Sequence, residues 1–132
     1  MSKDVIVVGW TPTAPGQAAV EAAVAEAGRR DAVLHVVNAS SGESYVDKGI
    51  ASDAQLDALR QRLSDQGVAH EVVQSVGRFE PAEEILEAAE RLSAALIVLG
   101  IRRRTPVGKL LMGSTAQRVL LQSTCPVLAV KA

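Results

Sequence analysis

Between Gly100 and Thr115 the chain runs GIRRRTPVGKLLMGST, placing Arg102, Arg103, Arg104 and Lys109 between glycines and closing on Gly113-Ser114-Thr115. Guanidinium forks and a lysine ammonium neutralise phosphate-like charge, Arg in a bidentate manner. A glycine followed by two hydroxyl residues at the start of a helix offers free N–H groups, a close backbone approach and extra hydrogen bonds to an anion. Ser114 reads equally well as the cap of an ordinary helix, with the arginines as a solvated turn. Two phosphate motifs fail on the residues present. For a P-loop, Gly108-Lys109 supplies the centre, but Arg103 stands at the leading glycine and Leu110 at the required Ser or Thr. The dinucleotide fingerprint G-x-G-x-x-G is absent.

Reaction chemistry finds less support. Phosphoryl transfer needs carboxylates to hold Mg²⁺ beside the phosphates. Asp4 and Asp31 precede their strands, and Glu43, Asp47 and Glu80 fall in loops without metal-ligand spacing. His35 and His70 read as packing or surface residues, no G-x-S-x-G surrounds Ser114, and Cys125 between Thr124 and Pro126 reads as a buried thiol. Binding rather than catalysis is expected, with no metal. Trp10, the single tryptophan, is open to two readings: a platform that stacks on a base, or a cover for the core beneath a loop.

The elements that must hold these residues alternate. Val5–Val8 is a continuous β-branched run, which marks a strand buried on both faces. Ala32–Val37, His70–Val76, Ala95–Gly100 and Pro126–Lys131 read as four more strands. Helices are expected over Ala14–Arg30, over Ser52–Gly67 with a Ser52/Gln55 capping box, over Glu80–Ser93 behind Pro81, and over Ser114–Ser123. A β-α-β-α-β-α-β-α-β order implies right-handed crossovers, a mostly parallel sheet and helices on both of its faces. In such open sheets a ligand lies beyond the carboxyl ends of the strands, where the winding reverses. Those ends carry Gly9-Trp10-Thr11, Val37-Asn38, Gly77-Arg78 and Gly100 with its basic loop.

Bulk properties bound the class. The 132 residues carry a net charge of −1 and are 48% hydrophobic, so one domain over 1–132 is expected, with a core of Val, Leu, Ile and Ala. No global positive field attracts nucleic acid, and any basic site is local. One cysteine excludes an internal disulfide. No apolar run approaches the roughly 18 residues of a membrane helix, and no signal-peptide pattern follows Met1. A cytoplasmic, non-membrane protein is expected.

Taken together, the VIVVG opening, EPAEEILEAAERLSAALIVLG, the ending CPVLAVK, and Gly100, Arg103 and Gly113-Ser114 at the spacing G-x2-G-x9-G-[ST] resemble the universal stress protein family over essentially the whole chain. The resemblance implies an open α/β fold like that of adenine nucleotide alpha hydrolases: a five-stranded parallel sheet in order 3-2-1-4-5. It also implies a homodimer and, in one subgroup, ATP or another adenine nucleotide bound at the switch point between the first and fourth strands. Carried onto this sequence, the ligand residues are Gly9, Thr11, Val37, Gly100, Arg102, Arg103, Gly113, Ser114 and Thr115. Two positions depart from the pattern: Arg103 replaces the second glycine, and Thr11 stands where nucleotide-binding relatives carry Asp. The alternative is a dimeric stress-response scaffold that holds no nucleotide and meets an acidic partner through its basic loop. The dimer is expected to form through Val127, Leu128, Ala129 and Val130, an apolar edge strand with little to block pairing to a second chain.

Overall fold

A computed structural model describes residues 3–40, 49–76, 80–102 and 113–132. Among the described residues nine elements follow in chain order: β1 (Val5–Gly9), α1 (Ala14–Arg30), β2 (Val33–Ser40), α2 (Asp53–Asp65), β3 (His70–Val76), α3 (Pro81–Arg91), β4 (Leu96–Ile101), α4 (Ser114–Gln122) and β5 (Val127–Lys131). The strands form one parallel sheet in order β3-β2-β1-β4-β5, as the resemblance implied. β1 sits at its centre, flanked by β2 and β4, so the winding reverses between β1 and β4.

Strand alternation sorts the core into two layers. Ile6, Val8, Leu34, Val36, Val72, Leu96 and Val98 pack on one face against α1 and α2. Val7, Val37, Ile97, Leu99 and Ile101 pack on the other against α3 and α4. Val7 and Val8 are both fully buried, one in each layer, which is why β1 needed an uninterrupted apolar run.

Local signals in the sequence explain the helix ends. Ser52 accepts from the Gln55 amide at 3.1 Å while the Gln55 side chain accepts from the Ser52 amide at 2.9 Å, the capping box expected for α2. Leu56, Leu59 and Leu63 form its buried stripe. Gly67 just beyond α2 takes a φ of +70°, the left-handed turn that glycine adopts without steric cost. Pro81 starts α3, and Glu83 and Glu84 in its first turn favour the positive end of its dipole.

Two strand ends differ from the sequence expectation. β2 does not stop at Val37 but runs to Ser40, pairing through Ser40↔Val76, because the polarity of Asn38 is satisfied inside the protein. β4 extends one residue past Gly100 to Ile101, which pairs with Lys131. Among the described residues no helix is long and apolar enough to cross a membrane.

Candidate functional site at the carboxyl edge of the sheet

Parallel strands require each crossover helix to run back against them, so α1 and α4 both begin at the carboxyl edge of the sheet. They follow β1 and β4, the two strands at the reversal. The register Gly9↔Val37 and Gly9↔Leu99 sets Gly9, Val37 and Leu99 side by side across three neighbouring strands, with Gly100 one residue further along β4. Thr11 follows at the entry to α1, and Arg102 stands exposed one residue past β4. Gly113 precedes α4, whose first two residues are Ser114 and Thr115. Arg103, Arg104 and Lys109 lie outside the described residues, as do Glu43, Asp47, Gly77 and Arg78.

The glycines of this edge have different reasons to be glycine. A methyl at Gly100 would stand 1.8 Å from the Pro15 carbonyl oxygen, and one at Gly16 would stand 1.7 Å from that of Thr11. Both positions let main chain meet main chain, locking the start of α1 onto β4 and onto its own entry loop. At Gly9 a methyl would meet only the flexible ends of Leu99 and Ile85, at 2.6 and 2.7 Å. Gly113 differs: its φ is −64°, and no described atom lies within 4 Å of where its Cβ would be. Neither backbone strain nor packing against the described residues asks for glycine there.

The helix starts themselves suit an anion. The first turn of α4 contains no acidic residue, and Gly113 has no side chain with which to occupy the free N–H groups. At α1, Thr13 holds the N-cap position, yet its hydroxyl makes no cap bond; it lies 2.7 Å from the Thr11 hydroxyl instead. In that pair one hydroxyl donates to the other, and the accepting one keeps its own proton for another partner.

Trp10 resolves in favour of the core. Its ring is buried in the layer under α1 and α2, its amide donates to the Val37 carbonyl at 3.0 Å, and its indole N–H has no partner among the described residues. A base-stacking face is therefore not presented. His35 is likewise internal, on β2 beneath α3, with Nδ1 3.5 Å from the exposed Glu71 carboxylate and Nε2 without a partner among the described residues. Desolvation lowers its pKa below the ordinary histidine value, outweighing the opposing pull of Glu71, since the imidazole is buried and the carboxylate is in water. Cys125 is half-buried rather than fully so, held at the turn into β5 by Ser123, whose hydroxyl accepts from its amide at 3.2 Å. Among the described residues no three His, Cys, Asp or Glu side chains gather as a metal site would require.

One residue to which sequence reasoning gave a place at a strand end but no role lies on β2 beside this edge. Asn38 is fully buried, and both ends of its amide are saturated. Nδ2 donates to the carbonyls of Trp10 (2.9 Å) and Gly49 (2.6 Å); Oδ1 accepts from the Ala51 amide (2.9 Å) and from Gln74 Nε2 (2.9 Å). Gln74 Nε2 also donates to the Ala51 carbonyl at 2.8 Å. The available signal was an amide side chain at the end of an apolar strand run, where polarity must be satisfied internally.

A doubly wound parallel sheet with two helix starts at its point of reversal defines an open α/β protein of the switch-point type, the architecture whose crevice at the carboxyl ends of the strands takes ligands in such folds. The particular family follows from comparison with known proteins: the universal stress protein family model matches residues 3–131, and the chain belongs to that family. It is 48% identical over 126 residues to a universal stress protein of Mycolicibacterium smegmatis, covering 96% of each chain. It is 49% identical over 51 residues to one from Methanocaldococcus jannaschii, a match that spans 39% of this chain and 30% of that protein. Among solved structures, a universal stress protein from Archaeoglobus fulgidus superposes with a TM-score of 0.81 at 27% identity, covering 99% of this chain and 100% of that one. A universal stress protein from the same organism in complex with dAMP gives a TM-score of 0.75 at 25% identity, covering 99% and 100%.

Proposed function

We propose that the protein binds an adenine nucleotide at the carboxyl edge between β1 and β4 and acts as a stress-response sensor or partner-binding module. The observation that carries this reading is Gly113: an exposed glycine at the start of α4 that neither strain nor any described neighbour requires, beside N–H groups without a side-chain cap. The space a Cβ would fill is where a phosphate can approach the main chain, with the Ser114 and Thr115 hydroxyls alongside. Thr11 faces the same edge with a hydroxyl available to the sugar or base, and Gly9, Val37 and Gly100 form the strand ends beneath. Arg102 stands ready to neutralise phosphate charge, with Arg103 as the next cation in sequence. The dAMP bound by the Archaeoglobus relative supports the ligand class, and ATP is the ligand that the family resemblance implies for one subgroup.

The residues fit the group at its anionic end and supply hydrogen-bonding groups for its nucleoside. Thr11 contributes no charge, so the sugar is held here by a neutral hydroxyl. Calorimetric titration of the folded protein with ATP, ADP and AMP tests the reading. Saturable heat below millimolar ligand supports it, and no heat for any of the three overturns it.

Assembly as a homodimer through β5 belongs to the same proposal, and the two edges of the sheet support it by contrast. At the β3 edge, Arg60 donates to the Val72 carbonyl at 3.1 Å and the charged Glu71 is exposed, features that obstruct pairing with another chain. At the β5 edge, Val127, Ala129 and Val130 are only half-buried and Leu128 is exposed, and no described side chain bonds to the strand's main chain. Leu121, on α4, is 85% exposed and adds to the exposed apolar surface.

A further inference from the structure

The Asn38 amide joins three segments of the chain. It holds the peptide at the end of β1 through the Trp10 carbonyl, the turn into α2 through Gly49 and Ala51, and β3 through Gln74. All four of its hydrogen-bonding positions are used, two donors on carbonyls and two acceptances from N–H groups. The orientation of the amide is forced, because Trp10 and Gly49 present only acceptors and the Ala51 amide only a donor. A side chain serving burial alone would be Val or Leu at this depth. The cost of burying an amide is met only when every bond is made, so the site has a single low-energy geometry.

That geometry is transmitted to the proposed ligand edge by one peptide bond. The Trp10 carbonyl held by Asn38 is part of the peptide plane that carries the Thr11 amide. Thr11 in turn presents its carbonyl over Gly16 and its hydroxyl to Thr13. The Trp10 amide is fixed from the other side by the Val37 carbonyl. The residue preceding Thr11 is thus clamped at both its N–H and its C=O by β2.

We infer that Asn38 is a positioning residue: through the Trp10 carbonyl it sets the placement of Thr11 at the β1–α1 entry, and so the affinity for the nucleotide, without itself touching ligand. This rests on the nucleotide reading proposed above. Asn38→Asp keeps the shape but turns two donated bonds into oxygen facing oxygen, and Asn38→Ala removes all four. Gln74→Leu removes only the bonds from β3, at an exposed residue whose loss the fold tolerates.

The test measures AMP and ATP affinity by calorimetry alongside emission of the single tryptophan, which reports on its own clamp. Leu63→Ala, in the α2 core, serves as a variant that loses stability by packing alone. Expected are a shifted Trp10 emission and an affinity lowered about tenfold or more in Asn38→Asp and Asn38→Ala, since small misplacements of a binding group cost orders of magnitude. The same direction with smaller size is expected in Gln74→Leu, which also decides the matter if the Asn38 variants do not fold. Leu63→Ala should melt earlier and bind as the wild type does. Wild-type affinity in folded variants whose Trp10 emission has shifted overturns the positioning role and leaves the nucleotide reading standing. Equal weakening in Leu63→Ala also overturns it. A wild type that binds neither AMP nor ATP overturns both.

Discussion

Gly100 lies directly against Pro15: a methyl on the strand residue would sit 1.8 Å from the carbonyl oxygen of the helix residue. That contact seats the first turn of α1 on the end of β4 and brings the two strands of the reversal under one helix. The glycine that opens the family motif is therefore required by packing within this chain, whereas Gly113, which closes it, has no described atom close enough to require glycine. The two make a direct contrast.

Gly100→Ala is expected to destabilise the fold by about 3 kcal/mol or more, since overpacking against main chain cannot be relieved by rotamer changes. Gly113→Ala is expected to cost about 1 kcal/mol or less, the ordinary penalty for alanine in place of glycine at an N-cap. Urea denaturation of the two variants measures both. With nucleotide as ligand the order reverses in meaning: folded Gly113→Ala should bind more weakly because its methyl occupies the approach to the α4 N–H groups.

Stability should fall in mild acid through His35. Its folded pKa is lowered by burial, so the neutral imidazole is favoured in the native state. The unfolded state takes up the proton first, near the ordinary value of about 6.5. The stabilisation is therefore complete above that pH and is lost as pH falls from there toward the folded pKa. Glu71, facing His35 from β3, and Glu87 on α3 work against the shift, while Arg91 on α3 reinforces it. Chemical denaturation at pH 7.5 and 5.5 should show a larger loss in the wild type than in His35→Leu. An equal loss in both would assign the acid sensitivity elsewhere.

The capping box at α2 predicts a modest, local effect. Ser52→Ala removes the oxygen that accepts from the Gln55 amide, at a cost of about 1 kcal/mol. Thermal unfolding should register it, and ligand affinity should not change.

Assembly is tested by sedimentation equilibrium. The wild type should be dimeric at tens of micromolar and Leu128→Pro monomeric while still folded, because proline removes a donor from a pairing strand. A monomeric wild type, or a folded proline variant that remains dimeric, contradicts pairing through β5. Arg60→Ala, at the opposite edge, should leave the wild-type dimer intact.

Element order and the buried faces were legible in the sequence because hydrophobic runs, Pro81, Ser52 and Gly67 act locally. α1 begins and ends where its alanine-rich stretch does, and β3 spans the expected residues. The end of β2 was not legible. A polar Asn38 reads as the start of a loop unless its partners are known, and those partners are 11 to 36 residues away in sequence. Trp10 was undecidable for a related reason: a tryptophan at a strand end serves core or ligand depending on which way the pleat turns it. The reasons for Gly100 and Gly113 were hidden similarly, since spacing equates two glycines that packing separates.

The most direct measurement is a crystal structure of the protein grown with ATP or AMP. Density for the phosphates is predicted against the main-chain N–H groups of Ser114 and Thr115, with the nucleoside over the ends of β1 and β2 between Thr11 and Val37. A nucleotide bound away from that edge, or the edge empty at saturating ligand in a lattice that leaves it open, would contradict nucleotide binding at the β1–β4 reversal.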